Sequence, residues 1–245
     1  MGFFATFWDE LQRGVRPAYF PDDLVPGEDG LVALGGDITV ETVLEAYAKG
    51  MFPWTGEHPI PWCSPDPRLI LPPPLFDASR SLRKLQRKGR YTVRFDHNFQ
   101  GVMGACASTP RPNQPGTWIT TNMRQVYGTL YRMNIAHSVE VYEDGELCGG
   151  LYGLSLGRAF FGESMFSSQS NTSKLALYTL SQRLVKHGFL FIDCQQETEH
   201  LQSLGAYPIP RVDYLELLNE ALAYPSHHYS WSVWDETQEL LASES

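Results

Sequence analysis

The stretch HSVEVYEDGELCGGLYGLSLGRAFFGESMFS, residues 137–167, decides the fold. It reads as three β-strands in succession. Asp144-Gly145 is a strong two-residue hairpin signal, and Gly157-Arg158 makes the second turn. Downstream, Asn171 or Ser170 can cap a helix to about His187, with Leu177, Leu180 and Leu184 along one side and Gly188 as its stop. FLFIDCQ, residues 189–195, is then a short buried strand, and 196–204 and 212–223 read as two more helices. An antiparallel meander followed by helix, strand and helix is an α+β layer arrangement.

Upstream of the meander the text is more broken. LVALGGD from Leu31 is a short strand closed by Gly35-Gly36. Residues 40–49 follow as a helix that Thr39 or Asp37 can cap and Gly50 ends. Residues 53–74 hold eight of the seventeen prolines, so they read as stiff, extended chain and a domain boundary. Phe52, Trp54 and Trp62 are embedded there, where aromatic rings either pin a linker to a core or wall a site. Tyr91–Phe95 alternates as a strand, and His97–Ala107 and Asn122–Asn134 read as helices around a loop with Pro110, Pro112 and Pro115. WSVWDETQELLASES at the C-terminus reads as a loosely held tail.

The composition is that of a folded chain: 42% of the 245 residues are hydrophobic, enough apolar surface to offset ordering entropy. No apolar run approaches the ~18 residues needed to span a bilayer, and MGFFATFWDELQR lacks the basic start of a signal peptide. Cys63, Cys106, Cys148 and Cys194 form no Cys-x-x-Cys or Cys/His pair at zinc spacing, so free thiols in a reducing cytoplasm are expected and a metal is not. The formal net charge of −9 argues for solubility and, taken as an average, against a nucleic-acid partner.

That average hides a segment of opposite sign. SRSLRKLQRKGRYTVRF, residues 79–95, carries seven basic residues and no acid, which leaves −16 on the rest of the chain. A helix over 79–88, capped by Ser79 and stopped by Gly89, places Arg80, Arg83, Lys84 and Arg87 on one face, with Lys88 at its end. Leu82 and Leu85 lie opposite and can pack down. Like charges on one helix face cost a few tenths of a kcal/mol per pair (about 0.2–0.5). The segment is either a solvated basic face or a contact for a phosphate backbone.

A set of strings in order over roughly residues 20–220 then carries a resemblance. FPDDLVPGEDGLVALGGD, KGMFPW, PIPWCSPDPR, SRSLRK, GTWIT, AHSVEV, GELCGGLYGLSLGRAFFGESMFS, NTSK, IDCQ and HLQSLGAYPIPR resemble the leucyl/phenylalanyl-tRNA–protein transferase family. The resemblance implies a cytoplasmic enzyme of bacteria, expected as a monomer, that moves Leu, Phe or sometimes Met from aminoacyl-tRNA to the N-terminal Arg or Lys of a protein, marking it for degradation. It implies a small N-terminal α/β domain, 1–68, followed by a GNAT-like domain, 69–245, with a central, mostly antiparallel sheet flanked by helices. No cofactor is implied. SSQSNTSK stands where acetyltransferases carry a glycine loop for a pyrophosphate, so acetyl-CoA binding is disfavoured.

The same resemblance assigns residues. Trp54 and Trp118 would flank the 3′-terminal adenosine, where stacking is worth about 1–3 kcal/mol. Leu151, Phe160, Leu177, Leu180, Leu184 and Ile192 would line the aminoacyl side-chain pocket. Many members carry Met at position 151 and Phe at 180 and 184, so the pocket is expected to be reshaped here. Asp193 would act as base or proton relay, Gln195 would orient the amine, and Glu163 would supply counter-charge. In a regular strand, 193 and 195 face the same way and Cys194 faces away. Ser164 lacks the second glycine of a nucleophile elbow, and His137 and His187 read as structural. A degenerate acetyltransferase and a catalytically silent tRNA-binding module remain the alternatives.

Overall fold

The computed structural model describes residues 3–13, 19–110 and 117–235. The chain opens with α1 (Phe3–Gln12), β1 (Leu31–Leu34), α2 (Val40–Ala48), β2 (Phe52–Pro53) and β3 (Pro61–Cys63). The three strands form an antiparallel sheet in the order β1-β3-β2. Thr39 caps α2 in a reciprocal capping box with Thr42, which satisfies two end groups of the helix at once. Expectation gave the proline-rich stretch no strands, yet it contributes β2, β3 and β4 (Arg68–Leu71). Its prolines fall at the ends of these strands or between them, leaving the ladder donors of Arg68–Leu71 intact.

The remainder adds a 3-10 turn at Pro73–Leu75, α3 (Arg80–Arg87), β5 (Thr92–Phe95), α4 (Phe99–Ser108), α5 (Thr121–Arg132), β6 (Ala136–Glu143), β7 (Glu146–Leu156) and β8 (Ala159–Ser167). These are followed by α6 (Thr172–Lys186), β9 (Phe191–Gln195), α7 (Glu199–Gln202), β10 (Tyr207–Ile209) and α8 (Arg211–Leu222). Seven strands pair in the order β10-β4-β9-β8-β7-β6-β5. The meander is as expected, with left-handed Asp144 and Gly145 at its first turn and Gly157 at its second. Every pair in this sheet is antiparallel except β8 with β9, the mostly antiparallel arrangement expected.

Helices cover both faces of the sheet because its strands alternate between two apolar clusters. Phe161 and Phe191 point into the cluster built with α2, α4, α5 and α8, while Phe160 and Ile192 point into the one built with α3 and α6. The second cluster also takes in Trp231 and Trp234, both fully buried. The reading of a loose tail therefore does not hold for 231–235. Trp231 stacks on His137 with ring centroids 3.8 Å apart, and its backbone amide donates to Asp96 Oδ2. Residues 111–116 and 236–245, on which the rest of the tail and most of the proline loop fall, lie outside the described residues. Expected helix 196–204 shrinks to α7, because Gln195 is left-handed and the chain must turn before it can recoil. Among the described residues no helix is long and apolar enough to cross a membrane.

Candidate active site

The site exists because the one parallel pair is short. β8 and β9 pair through Ala159–Phe191, Phe160–Ile192 and Phe161–Asp193, and then part. Two irregularities flank the parting point. The β7–β8 register slips between Tyr152 and Gly153, so Glu163 is an extra residue on β8. The β4–β9 register slips between Leu69 and Ile70, leaving Cys194 without an opposite number. A cavity of about 560 Å³ opens between the diverging strands.

One part of its wall is apolar: Leu151, Phe160, Met165, Leu177 and Ile192, with Leu201 and His200 of α7 at the rim. The other holds Glu163, Ser164, Asp193 and Gln195. Four of the six expected pocket residues are therefore on the wall. Leu180 and Leu184 are not; they lie fully buried in the cluster behind it. Leu177 is one turn nearer the N-terminus of α6, and the helix runs away from the cavity beyond it, so the leucine row reaches the wall only at its first member.

Asp193 is fully buried and its carboxylate is filled. Arg68 Nε donates to Oδ1 at 2.8 Å and Arg68 Nη2 to Oδ2 at 2.6 Å. The Gln195 amide donates to Oδ1 at 2.9 Å and the Tyr214 hydroxyl to Oδ2 at 2.8 Å. Four donors meet about four lone-pair directions, so no acceptor position is left for a substrate proton. A base or relay role does not fit this geometry. Arg68 lies over the rings of Phe52 and Tyr214, 4.8 and 4.5 Å from their centroids, which fixes the fork. Regular alternation also ends here: Gln195 has φ of 65°, and its backbone, rather than its side chain, meets Asp193.

Glu163 is differently placed. It is only partly buried, borders the cavity, and accepts from the Tyr47 hydroxyl, which lies 3.3 Å from that of Tyr127. Burial pushes its carboxyl up to about 7, against the pull of the two phenols. Burial and the Asp193 charge push the Cys194 thiol far above the ordinary thiol range, so it is no nucleophile. Among the described residues no group of three metal-ligating side chains occurs.

The two tryptophans lie off the cavity wall, in adjoining loops. Trp54 is exposed and stacked on Phe52, and the Gly56 amide donates to the Trp118 carbonyl at 3.2 Å. Phe52 in turn lies under Arg68, which connects the Trp54 loop to the Asp193 fork. Ser79 caps α3 as expected, Leu82 is buried, and Arg80, Arg83, Lys84, Arg87 and Lys88 are exposed. Arg80, Arg83 and Arg87 line a shallow cleft with Tyr178. Two of the seven basic residues are not free: Arg90 pairs with Glu143, and Arg94 approaches Asp235 at 3.7 Å. At the head of α6 the Ser168 and Thr172 amides donate to the Cys148 and Gln169 carbonyls.

Sequence reasoning missed Arg68, Tyr214, Tyr47 and Tyr127. Arg68 stood in the quoted SPDPR string, but nothing local announces a partner 125 positions away. Only a charged residue inside an otherwise apolar strand, RLIL, hinted at it.

Fold and cavity define a class: a mixed α/β protein whose mostly antiparallel sheet opens an apolar slot beside carboxylates. Comparison with known proteins narrows it. Residues 70–219 match the family described as leucyl/phenylalanyl-tRNA protein transferase, and residues 36–66 match the N-terminal domain of the same family. The chain is 49% identical over 218 residues to the leucyl/phenylalanyl-tRNA–protein transferase of Desulfatibacillum aliphaticivorans, covering 89% of this chain and 94% of that one. It is 52% identical over 199 residues to that of Pseudomonas putida, covering 81% and 88%. The chain belongs to the leucyl/phenylalanyl-tRNA protein transferase family and is a transferase. Solved structures of partly similar course include a GCN5-related N-acetyltransferase from Kribbella flavida (12% identity, 65% of this chain and 56% of that one, TM-score 0.35). Another is L-PGS from Bacillus licheniformis (12%, 56% and 50%, TM-score 0.34). Likeness at that level is too loose to bear on function.

Proposed function

We propose that this enzyme moves a leucyl, phenylalanyl or methionyl group from aminoacyl-tRNA to the α-amine of a protein that begins with Arg or Lys, marking that protein for degradation. Transfer is by direct aminolysis, without a cofactor or a covalent enzyme intermediate. The observation that carries this reading is the two-part lining of one cavity: apolar where an aliphatic or aromatic side chain would lie, carboxylate-bearing where a cation would arrive. The ester of aminoacyl-tRNA is already activated, so holding the two substrates in register supplies much of the rate.

In this reading Leu151, Phe160, Leu177 and Ile192 hold the aminoacyl side chain, with Leu180 and Leu184 backing the wall. Gln195 orients the amine. Asp193, fixed by Arg68, is a positioning residue rather than a base. Trp54 and Trp118 take the terminal adenosine of the tRNA, and the five exposed cations of α3 take its phosphates. Residues 1–68 form the smaller domain and 69–245 the catalytic one; the enzyme works as a monomer in the cytoplasm. Incubating the purified protein with labelled leucyl-tRNA and an Arg-starting peptide tests the reading. A labelled leucyl-peptide is the expected product, and tRNA binding without product overturns it.

A further inference from the structure

Among the described residues, no cationic side chain is hydrogen-bonded to Glu163. The buried cation nearest in the network, Arg68, is spent on Asp193. What Glu163 has instead is two phenols, each fully buried, from two different helices: Tyr47 of α2 and Tyr127 of α5. Both are held well above the ordinary phenol range by burial first and by the Glu163 charge second, so both remain donors. The bulge on β8 sets this carboxylate at the cavity, whereas the neighbouring carboxylate is closed off by its four donors. Among the described residues one carboxylate faces the cavity with an open side, aimed by neutral groups and hydrogen-bonded to no cation.

We infer that Glu163 takes the proton from the α-ammonium of the acceptor, and that Tyr47 and Tyr127 are positioning residues that aim its carboxylate and set the pH at which it is ready. This rests on the aminoacyl-transfer reading above. One ammonium proton passes to Glu163, and the freed nitrogen lone pair attacks the ester carbonyl carbon. The bond from that carbon to the ribose oxygen breaks as the amide forms. A second proton from the nitrogen leaves with the ribose oxygen, and Glu163 later gives its proton to water. Nothing is oxidised or reduced.

The groups facing Glu163 are Tyr47 from α2, Tyr127 from α5, Asp193 from β9 and Arg68 from β4. Tyr214 of α8 joins through Asp193, and Cys194 and His200 border the same cavity. Burial raises the carboxyl to about 7, the two phenols and Arg68 lower it, and Asp193 raises it. Removing either phenol hydroxyl therefore raises it further. The rival mechanism has no enzyme base: an α-amine of pKa about 8 sheds its proton to water.

The test is kcat/KM for an Arg-starting peptide against pH, at saturating leucyl-tRNA. An acid limb centred near 7 is expected. In Tyr47→Phe and in Tyr127→Phe the limb should move to higher pH by about half a unit or more, with the plateau recovered to within about tenfold. Glu163→Gln should remove the limb near 7, leaving only the titration of the free amine at about 8, and lower the plateau about 100-fold or more. A limb that stays fixed in both phenylalanine variants, or tracks the amine basicity of different peptides, overturns the assignment. So does a Glu163→Gln enzyme that keeps the limb near 7. Two separate phenols are available, so one misfolded variant does not end the test. No product at any pH from the unaltered enzyme would overturn the transfer reading instead.

Discussion

Asp193 and Glu163 sit on neighbouring strands, either side of the point where β8 and β9 part, and they are built on opposite principles. Asp193 is matched with a full cation and closed off by four donors. Glu163 is hydrogen-bonded by neutral phenols and keeps an open side. The contrast shows how one cavity can hold two carboxylates in unlike surroundings. A buried ion pair fixes geometry, because breaking it leaves an uncompensated charge. A carboxylate held by neutral donors keeps its proton affinity near neutral pH, because desolvation is only partly repaid.

The sharpest way to break the contrast is to unpair Asp193. Arg68→Met should cost about 3–5 kcal/mol in urea unfolding at neutral pH. Asp193→Asn made in the Arg68→Met background should recover part of it, since the lone charge is then gone; no recovery would mean the pair is not what fixes this end. Glu163→Gln should move stability the other way. Its folded carboxyl stands near 7 against an ordinary 4.5, so the folded state binds the extra proton and stability falls as pH rises between those values. The cost is absent below that window and complete above it. Replacing the group should therefore stabilise the protein by about 1–3 kcal/mol above the window and flatten the slope across it.

Smaller effects are expected away from both carboxylates. Reversing Arg83 and Lys84 to Glu should raise KM for aminoacyl-tRNA about tenfold and weaken its salt dependence, while leaving KM for peptide within about twofold. Equal effects on both substrates would remove α3 from the tRNA contact. Smallest of all, Cys194 should resist alkylation by iodoacetamide at mildly alkaline pH in the folded enzyme, because burial and Asp193 hold its thiol protonated. Rapid labelling would mean that the cavity floor opens.

Local chemistry was legible where it acts over a few residues. Asp144-Gly145 announced its hairpin, Ser79 its helix cap, and the 137–167 alternation its meander, because turn geometry and strand period are properties of short windows. The site was legible only as a set of residues. Which of them act was not, since that depends on two bulges and on an arginine far away in sequence. Leu180 and Leu184 show the same limit: periodicity marks a face of a helix but not how far along it a cavity extends. Trp231 shows it at the tail, whose burial rests on a ring stack with His137 that no local pattern signals.

The slot between β8 and β9 is walled largely by strands, and its opening is fixed by where a ladder stops. Side-chain rotamers trim such a slot, but they do not set its gauge. If this slot takes the aminoacyl side chain, as proposed, one methylene too many must strain hydrogen-bonded backbone rather than push a loop aside, and one too few leaves a gap that the sheet will not close. On the proposed reading, discrimination by size is a matter of stiffness, and it should survive exchanges of wall residues that preserve volume.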